Sequence, residues 1–117
     1  MNGLGKHILV DLYGCDRTIL DDAQAVENIM TRAAIEAGST IICSDFHQLS
    51  PRGVSGVVII AESHLAIHTW PEHGYAALDV FTCGEDMNPL LAFYIVRQAV
   101  GAADEVCQVV QRGIPAS

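Results

Sequence analysis

Between residues 55 and 83 the chain gathers Ser55, Glu62, Ser63, His64, His68, Glu72, His73 and Cys83. Hydroxyl, thiol, imidazole and carboxylate groups are the side chains that perform nucleophilic, acid–base or metal chemistry. Three chemistries are open to them. His64, His68 and His73 could gather zinc, since even spacing on a strand places His64 and His68 on one face. The HExxH helix is absent, however, and the segment is β-branched, so no metal is expected. Ser63 or Cys83 could be a nucleophile with His68 as its base, although no local triad signature or GxSxG elbow surrounds any serine. The third possibility is structural, because a histidine or cysteine in an apolar strand is often only a satisfied core residue. On residue types alone the structural reading wins.

The elements that would position these groups can be read from periodicity. Residues 4–13 are β-like. Residues 18–37 carry Leu20, Ala23, Val26, Ile29, Met30, Ala33 and Ala34 at helical steps, with Asp16 or Thr18 to cap the start and Gly38 to end it. A strand follows over 40–46, then a loop marked by Pro51, Gly53 and Gly56. The β-branched run 57–60 and a strand over 65–70 form a hairpin whose bend holds Ala61, Glu62, Ser63 and His64. A turn at Pro71, His73 and Gly74 leads to a strand over 75–82. Asn88 and Pro89 open a helix to about residue 100, and 105–111 closes as a strand. The order β-α-β-β-β-β-α-β predicts an α+β two-layer sandwich, a largely antiparallel sheet with two helices on one face. The 117 residues are expected to form one domain.

Composition bounds the partners. Fourteen acidic against six basic residues give a net charge of −8, which argues against nucleic acid or an anionic membrane and suits a cationic ligand. Half of the residues are hydrophobic, enough to leave apolar surface for a second subunit. No secretory signal is legible at the start, and the longest apolar run, residues 57–61, cannot span a bilayer, so a cytoplasmic protein is expected. Cys15, Cys43, Cys83 and Cys107 show no CxxC spacing and are expected to be free thiols.

The segment Glu62-Ser63-His64-Leu65-Ala66-Ile67-His68-Thr69-Trp70-Pro71-Glu72-His73-Gly74-Tyr75-Ala76-Ala77 resembles the processing-site motif of the prokaryotic S-adenosylmethionine decarboxylase proenzymes. The likeness extends upstream through Gly53-Val54-Ser55-Gly56-Val57-Val58 and downstream through Asp79-Val80-Phe81-Thr82-Cys83-Gly84. It includes Leu4-Gly5-Lys6-His7 and Gly14-Cys15-Asp16, so it runs through almost the whole chain.

The resemblance implies a self-cleaving chain. The Ser63 hydroxyl attacks the Glu62 carbonyl, an ester forms, and loss of the Ser63 Cα proton expels the Glu62 carboxylate. Dehydroalanine remains and hydrolyses to ammonia and a covalent pyruvoyl group. A β chain of residues 1–62 and an α chain of 63–117 result. By the same resemblance His68 is the base for the elimination and Ser55 assists it. The pyruvoyl ketone takes the substrate amino group as a Schiff base and accepts electrons as CO2 leaves. Cys83 matches the family's proton donor, a thiol holding a proton at neutral pH yet releasing it readily. Trp70 and Glu72 are the candidates for binding S-adenosylmethionine. A dimer of αβ protomers with sites near its interface is expected, serving spermidine and hence polyamine biosynthesis.

Leu49 stands where family members often carry an aromatic residue, and Ser50 and Arg52 also depart from common choices. Those changes touch substrate binding and leave the pyruvoyl machinery intact. The alternatives are a pyruvoyl-dependent arginine or ornithine decarboxylase of the same family, or a non-catalytic regulatory paralogue.

Overall fold

The computed structural model describes residues 3–83 and 86–114; Gly84, the last residue of the downstream match, lies outside them. The elements run β1 (Gly5–Tyr13), α1 (Arg17–Leu20), α2 (Ala23–Glu36), β2 (Ile41–Gln48), β3 (Val54–Ile60), β4 (Ser63–Trp70), a 3-10 turn (Pro71–His73), β5 (Tyr75–Cys83), α3 (Pro89–Ala99) and β6 (Asp104–Arg112). The strands form one six-stranded sheet in the order β2-β3-β4-β5-β1-β6, antiparallel at every pairing. The α+β sandwich expected from the sequence is the fold observed.

Strict alternation makes the sheet two-faced. Ile8, Val10 and Leu12 of β1, Leu65 and Ile67 of β4, and Leu78 and Val80 of β5 are buried under the helices. The helices answer with Val26, Met30, Ala33 and Ala34 from α2 and Ala92, Phe93 and Val96 from α3. Each large aliphatic side chain enclosed this way contributes roughly 1.5–3 kcal/mol. Gly56 is required on the helix side of β3, because a Cβ there would run into the Phe46 ring. The intervening residues point to the opposite face, which no helix covers: His7, Leu9 and Asp11 on β1, His64, Ala66 and His68 on β4, Asp79 and Phe81 on β5.

The helix expected over 18–37 is two helices. Asp16 caps α1 by accepting the N–H groups of Thr18 and Ile19, and Asp22 caps α2 by accepting that of Ala25. The break is held from a distance: Asp21 Oδ1 accepts the Gly53 N–H at 2.8 Å and a Gln48 amide proton at 3.1 Å. Thr69, buried on β4, fixes the same corner by donating to the Leu20 carbonyl at 2.7 Å and accepting the Val54 N–H at 2.8 Å. Asn88 caps α3 with Pro89 in the first turn, as expected. The final strand extends one residue beyond 105–111 at each end. Among the described residues no helix is long and apolar enough to cross a membrane.

Candidate active site

Ile60 pairs with Ser63, so the β3–β4 bend is a two-residue turn of Ala61 and Glu62. The turn is pinned from outside. The Ala61 N–H donates to the Thr40 carbonyl at 2.8 Å, and the Thr40 N–H donates to Glu62 Oε1 at 3.2 Å. The Glu62 carbonyl oxygen accepts two bonds from one residue, the Cys83 N–H at 2.8 Å and the Cys83 Sγ at 3.2 Å. Donors fixed on a carbonyl oxygen stabilise the negative charge that grows there when the carbon is attacked. The next residue is Ser63, whose φ of 143° makes it the non-glycine residue of positive φ among the described residues. A serine persists in that region only when its surroundings over-determine it, and such strain is concentrated at functional sites. Its Oγ lies 3.4 Å from His64 Nδ1. A strained serine thus sits beside a carbonyl already held by two donors.

Ser55 and His68 meet elsewhere. They are directly opposed across β3 and β4, and Ser55 Oγ lies 2.8 Å from His68 Nδ1. The sequence placed His68 just after the bend. In the structure it lies five residue steps along extended strand from Ser63, about 16 Å at ~3.3 Å per residue. One chain therefore brings Ser63, Glu62 and Cys83 together at one end of β4, and Ser55 with His68 toward the other.

Trp70 ends β4 on the uncovered side and continues into an aromatic row. Its ring is 5.2 Å from that of Tyr75, which is 5.5 Å from Tyr13. With His73 these rings line a shallow cavity of 470 Å³. The Tyr75 hydroxyl donates to Asp11 Oδ1 at 2.6 Å, and that bond, with burial, pushes its pKa up to about 12. Glu72 faces a different cavity, of 740 Å³, shared with Arg17, Asp21, Arg52 and Gln48. Trp70 and Glu72 are thus not gathered around one space.

The sequence left His64 and His7 unassigned. His64 adjoins Ser63, and burial, followed by the nearby His7, lowers its pKa despite an opposing pull from Asp79. Its position next to Ser63 was the available signal. His7 could be found only from the β1–β5 pairing that sets it opposite Phe81. The three histidines considered for zinc are dispersed: His64 adjoins Ser63, His68 pairs with Ser55, and His73 lines the aromatic cavity.

A family model described as S-adenosylmethionine decarboxylase matches residues 6–113. The S-adenosylmethionine decarboxylase proenzyme of Thermotoga maritima is 55% identical over 102 residues, covering 87% of this chain and 78% of its own. That of Moorella thermoacetica is 54% identical over 114 residues, covering 97% and 91%. The crystal structure of the adenosylmethionine decarboxylase from Aquifex aeolicus superposes with a TM-score of 0.92 at 39% identity, over 99% of this chain and 96% of that one. A family model matching residues 6–113, a shared fold at a TM-score of 0.92 and identity above one half over nearly the whole length have one common explanation: the chain belongs to the S-adenosylmethionine decarboxylase family.

Proposed function

We propose that this chain is a pyruvoyl-dependent S-adenosylmethionine decarboxylase that cleaves itself between Glu62 and Ser63, leaving a β chain of residues 1–62 and an α chain of 63–117. The observation that carries this reading is the Glu62 carbonyl, gripped by the Cys83 N–H and Sγ beside a serine at φ 143°. These residues suit the formation of the group: the nucleophile is adjacent, the oxyanion donors are in place, and the strained backbone favours rupture of that peptide bond. Once formed, pyruvoyl supplies an electron sink for loss of CO2. Cys83 Sγ, 3.2 Å from the Glu62 carbonyl oxygen, is the proton donor to the substrate carbon.

The separation of Ser63 from His68 supports a dimer in which each protomer completes its partner's site. The uncovered sheet face carries Leu9, Val57, Ile59, Ala66 and Phe81, apolar groups that a second sheet at ~10 Å would bury. A two-fold axis makes the contact reciprocal. Two β4 strands running in opposite directions set the bend of one against the Ser55–His68 pair of the other. His68 of the partner subunit is then the base for the elimination, with its Nδ1 held by the partner's Ser55. Trp70 lies two residues beyond His68 on the same face, so the Trp70–Tyr75–Tyr13 row faces the substrate from that side. Aromatic faces attract a sulfonium, and a net charge of −8 draws in a substrate bearing two cationic centres.

Intact-mass measurement of purified protein is expected to show two fragments, the second without an N-terminal amine, and Ser63→Ala is expected to remain whole. A wild-type chain that stays full-length on long incubation refutes the cleavage. CO2 release is expected to saturate with S-adenosylmethionine; faster release from arginine or ornithine would reassign the substrate while leaving the chemistry.

A further inference from the structure

Resting on the proposed self-cleavage, we infer that His64, in the same chain and adjacent to Ser63, is the proton shuttle of the first step, the acyl shift that precedes the elimination. Attack on the Glu62 carbonyl requires the Ser63 hydroxyl to lose a proton. His68 is about 16 Å along the strand from it. His64 Nδ1 is the ring nitrogen within reach, 3.4 Å from Ser63 Oγ. Bonds of this kind are often long before reaction and tighten in the transition state.

The surroundings of His64 keep it ready to accept. Its ring stands edge-on to His7 at 6.4 Å and to Phe81 at 5.7 Å. His7 is itself fixed: the Arg112 guanidinium, which can only donate, bonds to His7 Nδ1 at 3.3 Å. His7 Nε2 is buried without a hydrogen-bond partner, 3.9 Å from Asp79 Oδ1. Arg112 is held in turn over the Phe81 ring at 5.2 Å. Across the strands flanking β4, His64 faces Ile59 on β3 and Phe81 on β5. The titratable and charged groups around it are therefore His7 on β1, Asp79 and Cys83 on β5, and Arg112 on β6 behind His7. Burial and His7 outweigh Asp79 and hold His64 below its ordinary 6.5, so the ring is neutral at neutral pH.

The step balances within these groups. His64 Nδ1 takes the Ser63 hydroxyl proton as the Oγ–C bond to Glu62 forms, and the displaced electron pair rests on the Glu62 oxygen against the Cys83 donors. Collapse breaks the bond from the Glu62 carbon to the Ser63 nitrogen. That nitrogen receives the proton back from His64. An amide has become an ester and a free amine, and His64 has returned to its starting state. The later loss of the Ser63 Cα proton does not need it.

The test follows cleavage of freshly purified, initially whole chain by intact mass from pH 5 to 8, with hydroxylamine added to split any ester. In the wild type the rate is expected to fall on the acid side, below 6.5, as His64 takes a proton. His64→Gln is expected to cleave on the order of 10²- to 10⁴-fold more slowly. It should stay whole in hydroxylamine, because the block precedes the ester, and should lose the His64 acid limb. His64→Ala with wild-type circular dichroism should regain cleavage in added imidazole, which a packing role would not produce. Wild-type rates in His64→Gln, or slow cleavage with accumulated ester and no imidazole rescue in His64→Ala, overturn the inference. A wild-type chain that never cleaves overturns the underlying reading, and this one with it.

Discussion

If the reactive serine of one protomer depends on His68 of the other, two dead variants should repair each other. Ser63→Ala lacks the nucleophile and His68→Ala lacks the elimination base. The separation along β4 is about 16 Å, against a hydrogen-bond reach of ~3 Å, and strand side chains stand perpendicular to the sheet, so no rotamer closes the gap within one chain. A mixed dimer has one complete site, built from Ser63 and Cys83 of the His68→Ala chain and Ser55 and His68 of the Ser63→Ala chain. Its other site lacks both groups. Random pairing of equal amounts makes half of the dimers mixed, so about one quarter of all sites are complete. Co-expression with distinct affinity tags, purification through both, and intact-mass analysis measure this directly. The His68→Ala chain should be cut and the Ser63→Ala chain should remain whole. A verified mixed dimer in which neither chain is cut, or a His68→Ala homodimer that matures at the wild-type rate, would refute the shared site.

Cys83→Ala keeps the backbone N–H on the Glu62 carbonyl and removes only the Sγ contact, so cleavage should slow but continue. Decarboxylation should fall ~10²- to 10⁴-fold, with the surviving turnover converting pyruvoyl to an alanyl end seen as a small mass change. Thr69→Val replaces the hydroxyl that satisfies both the Leu20 carbonyl and the Val54 N–H, and should cost about 2–4 kcal/mol in denaturant unfolding.

Much of the fold was legible because β1 and β5 alternate, residues 57–60 form a β-branched run, and the helices repeat at three and four. The broken first helix was not. Its break depends on Asp21 bonding to Gly53, 32 residues away, a tertiary contact that local periodicity does not carry. The site was legible unevenly. The bend expected over 61–64 is a two-residue turn of Ala61 and Glu62, and that shorter turn, not the expected one, sets the β3–β4 register in which Ser55 meets His68. The same strand arithmetic separates His68 from Ser63, a consequence the sequence contained and that closeness in number obscured. Cys83 reaches the Glu62 carbonyl only through the β4–β5 register, which turn length does not set because the 3-10 turn intervenes.

The strand order also decides what a cut at residue 62 can do to the molecule. Strands β1, β2 and β3 would fall in the first fragment and β4, β5 and β6 in the second, yet β1 lies between β5 and β6. The two pieces are laced like the fingers of clasped hands. Separating them would mean drawing β1 out with the ladders on both its edges and uncovering Ile8, Val10 and Leu12. A cut at that hairpin tip would thus sever the backbone while β1 still ties the two pieces together through both its ladders.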